Sequence, residues 1–146
     1  MTENAFRIKY SQLVEFYQYI EMRLKFICAQ ILADKDRDWF ARLDDYEMDP
    51  FGTLIRKIRT IQDERQITVL TEDDLDGLDE LRNTRNYWIH QCFGGMPQSV
   101  PLVAFKKEEV TKPIIAQMIT DSLSDAVDWD RKLTEKLKEY REDHKE

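Results

Sequence analysis

YSQLVEFYQYIEMRLKFICAQIL, residues 10–32, carries apolar side chains at Leu13, Val14, Tyr17, Ile20, Leu24, Ile27, Cys28 and Ile31. The steps between them are three and four. That spacing lines one face of an α-helix and cannot line one face of a strand, whose side chains alternate. The stretch therefore predicts an amphipathic helix of roughly six turns. A chain of 146 residues with only four Gly and four Pro suits long helices better than a turn-rich β fold.

The same reasoning extends outward. Residues 33–49 are acidic, with Trp39, Phe40 and Leu43 as local apolar anchors, and read as a connection holding one short helix. Asp49-Pro50 reads as an N-cap followed by proline at the first helical position. The helix it opens, FGTLIRKIRTIQDER, turns Phe51, Leu54, Ile55, Ile58 and Ile61 inward. TEDDLDGLDELRNTRNYWIHQCF, residues 71–93, is the next helix. Thr71 with Asp74 resembles a capping box, and Glu72, Asp73 and Asp74 suit the positive end of the helix dipole. Its inward face is Leu75, Leu78, Leu81, Trp88, Ile89 and Cys92, and Gly94-Gly95 ends it.

A connection with two prolines follows, in which Leu102 to Phe105 reads as a short extended piece. The last helix starts near Thr111 to Pro113 and faces inward with Ile115, Met118, Ile119, Leu123, Ala126, Leu133, Leu137 and Tyr140. The tail EDHKE is charged and expected to fray. The sum is an all-α, single-domain bundle of four main helices plus one short helix. Its core is expected over about residues 8–142.

Charge and composition narrow the function. The net charge is -7 and the pI about 5.0, which argues against a protein that coats nucleic acid. A small cluster of arginines touching a few phosphates remains compatible with that balance. No run approaches the roughly 20 apolar residues that cross a bilayer, so no membrane association is expected. The opening MTENAFRIKY lacks a basic flank followed by an apolar core, so no secretory signal is expected. Cys28 and Cys92 fall in apolar helical patterns and predict buried thiols in a reducing compartment, hence a cytoplasmic location.

Cofactor chemistry finds little to work with. Two Cys far apart and two His, one of them in the tail, do not make a zinc site. There is no HExxH, no phosphate loop and no GxGxxG. EDDLDGLDE lacks the ligand spacing of a calcium loop and reads as a helix start. No metal or other cofactor is expected.

Arg85 stands where the apolar face of its helix calls for another apolar residue. A guanidinium facing a core or an interface is costly unless it is paired. On an α-helix, Arg82, Asn86 and His90 share one face at steps of four, with Arg85 about 100° round from Asn86. Helix physics alone leaves two readings open. One makes these residues an ordinary polar face, with Arg85 paired to Glu21 or Glu80 and His90 complementing a helix C-terminus. The other makes them a site.

Arg85-Asn86-Tyr87-Trp88-Ile89-His90 resembles the R-x4-6-H motif of the HEPN domain family, late in a helix of an all-α bundle, with Asn directly after Arg. The resemblance covers helix count and order over roughly residues 8–142, and its specific part is these six residues. It implies a metal-independent endoribonuclease, active as a homodimer with two motifs facing across a cleft. Arg85 and His90 would then be the catalytic pair, Asn86 their polar support and Arg82 a further phosphate contact. The expected reaction is attack of an RNA 2′-OH on the adjacent phosphate, giving a 2′,3′-cyclic phosphate. A toxin or anti-phage role would add a cognate antitoxin or activator as partner. Many toxins of the family carry a modifiable tyrosine two residues after the histidine, where this chain has Cys92. The alternative is a non-catalytic module that dimerises or binds a nucleotide or protein, using the aromatics Trp39, Trp88, Trp129, Tyr17, Tyr46 and Tyr140. A small regulator such as an antitoxin is a third reading, weakened by the absence of a basic DNA-reading helix.

Overall fold

Thr2 opens the first helix: its side-chain hydroxyl accepts the Ala5 N–H at 3.1 Å. The computed structural model, which describes residues 1–33, 36–93 and 103–143, runs α1 from Glu3 to Phe26 and continues it as a π-helical segment, Ile27–Leu32. After that come α2 (Trp39–Asp44), α3 (Phe51–Arg65) and α4 (Glu72–Asn86), the last extended by a second π segment, Tyr87–Gln91. A hairpin of β1 (Phe105–Lys106) and β2 (Glu109–Val110) precedes α5 (Pro113–Asp143). The all-α bundle of four main helices with one short helix is what the sequence predicts.

α1 lies along α5, α3 packs on α4, and the first π segment meets α2 and α3. One core joins them: Phe6, Leu13, Tyr17, Ile20 and Leu24 from α1, Phe51 to Ile58 from α3, Leu75 to Leu81 from α4, and Ile119 to Leu137 from α5. Burial of this apolar face is what holds helices that isolated propensity would leave marginal. Among the described residues no helix is long and apolar enough to cross a membrane.

Several local readings change. α1 begins seven residues before the expected Tyr10, and Phe6 is fully buried, so the core starts before residue 8. The reason is long-range. The Met1 carbonyl accepts the Val110 N–H at 3.1 Å, and the Glu3 N–H donates to Glu108 O at 2.6 Å, which pins the chain start to the hairpin. Pro50, not Asp49, is the residue before the first turn of α3, and Asp49 instead pairs with Lys57. Phe40 is 75% exposed and anchors nothing, while Trp39 and Leu43, on the other side of that short helix, pack on the core. The extended piece near Phe105 is one strand of a hairpin whose turn, Lys107-Glu108, has φ of 51° and 64°. Two successive left-handed residues match the twist of paired strands. Leu102 and the expected helix end at Gly94-Gly95 lie outside the described residues.

The α3–α4 link is fastened by one side chain. Gln62 accepts the Val69 and Leu70 N–H groups, each at 2.9 Å, and donates to the Leu70 carbonyl. The capping box is present: Thr71 Oγ1 accepts the Asp74 N–H and Asp74 accepts the Thr71 N–H. Asp74 also takes Lys132 of α5 as an ion pair, tying the start of α4 across the bundle.

Candidate functional site

The two halves of the motif are built differently. Through Asn86 the helix is α; from Tyr87 it widens, and the Cys92 N–H donates to the Tyr87 carbonyl five residues back, at 3.0 Å. In such a turn the residue five on takes the place of the residue four on. The row of Arg82, Asn86 and His90 expected of a regular α-helix thus runs from α-helical turns at Arg82 and Asn86 into a π turn at His90.

The π turn is held by Trp88, which is fully buried. Its indole N–H donates to Ser122 Oγ of α5 at 2.9 Å. Its carbonyl accepts the Tyr10 hydroxyl of α1 at 3.2 Å and the Cys92 thiol. The turn is thus braced from both neighbouring helices. His90 lies on its outer side, exposed, with no hydrogen bond or ion pair among the described residues.

Arg82, Arg85 and Asn86 line one groove between α3 and α4, of about 560 Å³. The structure adds residues that the sequence reading passes over. Arg56 and Arg59 of α3 line the same groove, with Asp79 of α4 and the first turn of α3 around Gly52 and Thr53. His90 does not line it. The two α3 arginines read as the polar side of an amphipathic helix. The available signal was their spacing of three in FGTLIRKIRTIQDER within an acidic chain.

The four arginines are not equally engaged. Arg59 is saturated: it donates to Asp79 and Asp76 at 2.8 Å and to Glu72 at 3.4 Å. Those carboxylates hold its guanidinium charge above the usual arginine range, the Asp79 hydrogen bond most strongly. Arg82 lies 3.9 Å from the other oxygen of Asp79, and Arg85 lies 3.8 Å from Glu21 of α1. These are charge contacts, too long for hydrogen bonds. Among the described residues the buried Nε atoms of Arg82 and Arg85 have no hydrogen-bond partner, and Arg56 donates only to Thr53 Oγ1, at 3.1 Å. Three guanidinium groups therefore keep much of their donor capacity for another acceptor.

Three further groups complete the electrostatics of the fold. Tyr17 of α1 is buried, and its hydroxyl has no hydrogen-bond partner among the described residues. Burial and the negative charge of Asp125 push it above the usual tyrosine range, with Arg85 pulling the other way, so it stays neutral. Burial also pushes the Cys92 thiol up to about 11 and the Cys28 thiol up to about 12. Both cysteines are free and buried, and neither supplies a thiolate nucleophile near neutral pH. Among the described residues no three His, Cys, Asp or Glu side chains gather as a metal site.

The arrangement can hold an oxyanion or a phosphate in the groove and offer an imidazole at the exposed end of the same helix. No family model, no curated protein and no solved structure matches this chain.

Proposed function

We propose that the chain is a metal-independent endoribonuclease of HEPN type that acts as a homodimer, in the setting of a toxin or an anti-phage defence component. The observation that carries this reading is the groove: Arg82, Arg85 and Asn86 meet Arg56 there, in a chain whose net charge is -7. Phosphate binding needs such a local cationic patch when the surface as a whole repels nucleic acid.

In the proposed reaction the RNA 2′-oxygen attacks the adjacent phosphorus and the bond to the 5′-oxygen breaks. One proton leaves the 2′-OH and one reaches the departing 5′-oxygen. His90 serves in proton transfer, a task suited to an imidazole near neutral pH. Arg85 holds the non-bridging oxygens as charge builds on them, Asn86 supports it, and Arg82 takes a neighbouring phosphate. Exposure of His90 outside the groove suits a site completed by a second copy. The acidic surface suits a selective RNA, or delivery by an activator or release from an antitoxin. Cys92, buried, gives no surface for the tyrosine-type modification of related toxins.

The test is cleavage of total RNA and tRNA by purified protein in EDTA, beside His90→Ala, with end-group mapping. Cyclic-phosphate ends from the wild type alone are expected. An active preparation that ignores His90→Ala would overturn the reading.

The contact of Arg85 with Glu21, at 3.8 Å, favours a second reading. Arg85 would then serve the fold or an interface of a non-catalytic binding or dimerisation module. That reading expects Arg85→Ala to change oligomeric state or binding, with no cleavage under any condition. Loss of cleavage alone, with the dimer intact, counts against it.

A further inference from the structure

We infer that the α3 wall of the groove carries the strand beyond the cleavage point, with Arg56 as the residue that holds a flanking phosphate of a single-stranded nucleic acid. The identity of the strand as RNA rests on the ribonuclease reading; the anion-binding character of the groove does not.

The lining holds four arginines against a single carboxylate, Asp79. Asp79 is drawn toward Arg59, at 2.8 Å, and away from Arg82, at 3.9 Å. Arg59 thus acts as a positioning residue. It occupies the carboxylate that would otherwise neutralise Arg82. Arg56 stands on the opposite wall from Arg85, and among the described residues its hydrogen bond goes to Thr53 Oγ1 alone. Its guanidinium fork matches two phosphate oxygens, and donating to Thr53 leaves most of that fork open.

Other features of the same wall agree. No side chain caps the start of α3, and the turn that lines the groove is its positive end. Gly52 leaves room for Arg82 to reach across from α4. Among the described residues the only aromatic ring in the lining, Phe51, is buried and offers no platform for stacking a base. A groove with guanidinium groups and no stacking surface grips backbone and reads no sequence at this point. Arg85 and Asn86 border the same space, so a strand whose reacting phosphate lies at Arg85 passes Arg56 with a neighbouring one.

The experiment uses the full chain and a labelled single-stranded oligodeoxynucleotide, which lacks the 2′-OH and cannot be cleaved by it. Anisotropy is titrated over a range of salt for wild type, Arg56→Gln and Arg56→Lys, with thermal melts of each. Arg56→Gln is expected to weaken binding about tenfold at low salt and to make the salt slope shallower by about 0.7, the value for one phosphate contact on a single strand. Arg56→Lys keeps the slope, and the melts stay unchanged because the hydrogen bond of Arg56 to Thr53 Oγ1 is exposed. Equal affinity and slope for wild type and Arg56→Gln would overturn the inference. So would absence of oligonucleotide binding by the wild type, even if inorganic phosphate alone bound in the millimolar range.

RNA cleavage by the same proteins separates the two proposals. A raised KM with unchanged kcat in Arg56→Gln supports both. Cleavage indifferent to Arg56→Gln keeps the ribonuclease and removes the phosphate track. No cleavage by any protein, with the slope change present, counts against the ribonuclease and leaves the phosphate track standing as a strand-binding groove.

Discussion

Arg82 of α4 crosses Gly52 of α3 so closely that a Cβ at position 52 would lie 2.8 Å from Arg82 Nη1 and 3.2 Å from its Cδ. The two helices meet here through a side chain and a missing side chain, and the meeting point is the groove itself. Gly52→Ala is expected to fold normally. The obstructing atoms belong mostly to the far end of a flexible chain, and alanine gains about 0.5–1 kcal/mol over glycine within a helix. Stability should stay level or rise by up to about 1 kcal/mol in urea unfolding. Arg82 must move, however, and binding of a single-stranded oligonucleotide should fall roughly fivefold, the worth of about 1 kcal/mol. A variant of unchanged stability that binds as well as the wild type would show that Arg82 takes no part in the groove.

Gly77 poses the opposite case. A Cβ there would fall 2.7 Å from Cζ2 of Trp129, a rigid ring with Lys132 Nζ 5.2 Å from its centroid. The ring cannot slide aside as a guanidinium can. Overpacking of this kind costs about 1–3 kcal/mol, which exceeds the helix gain of alanine. Gly77→Ala should therefore lower Tm by several degrees, about 2–6 °C for a domain of this size. Adding Trp129→Phe, which withdraws the outer ring, should return most of the loss. Additive losses in the double variant would place the strain elsewhere.

These two glycines show what the sequence could and could not convey. The core faces of α1, α3, α4 and α5 follow from apolar spacing, because burial and a period near 3.6 leave little freedom. The capping box follows from Thr71 and Asp74 because its bonds close within three residues. Gly52 and Gly77 look like helix weaknesses in the sequence, since each is fitted to a side chain on another helix. The early start of α1 depends on the hairpin more than 100 residues away. The π turn after Asn86 is a backbone event that leaves the apolar pattern of Trp88 and Cys92 intact, so nothing in the spacing signals it. Arg82, Arg85 and Asn86 were legible as a set. Arg56 and Arg59 were not, because a solvent face and one wall of a groove have the same composition.

Tyr17 offers a third test. Its hydroxyl is buried without a hydrogen-bond partner among the described residues, and such a group carries its desolvation cost uncompensated, about 1–3 kcal/mol. Tyr17→Phe keeps the ring and removes the cost. The urea midpoint should hold or rise, by up to about 1 kcal/mol in stability. A loss beyond about 1 kcal/mol would mean that the hydroxyl does meet a partner in solution, with Arg85 the first to examine, since its charge acts on Tyr17.

Asp74 makes stability depend on pH in a defined direction. Burial tends to raise its pKa, but the Lys132 ammonium and the Thr71 N–H outweigh that, and the carboxyl ends below the usual aspartate range. A group whose folded pKa is depressed stabilises the fold above its unfolded pKa, and that contribution fades as pH falls through the lower folded value. The unfolded value is about 3.9. Asp74→Asn keeps the shape while removing the charge that Lys132 and the start of α4 attract, at a cost of about 1–2 kcal/mol. Urea unfolding of both proteins should show that difference constant from about pH 5 to 8 and shrinking below about pH 4. Lys132→Met should show a loss of the same sign with the same acid decline, because it removes the other half of the pair. A difference between wild type and Asp74→Asn that persists unchanged at the acid end would assign the effect to packing at the start of α4 instead of to charge.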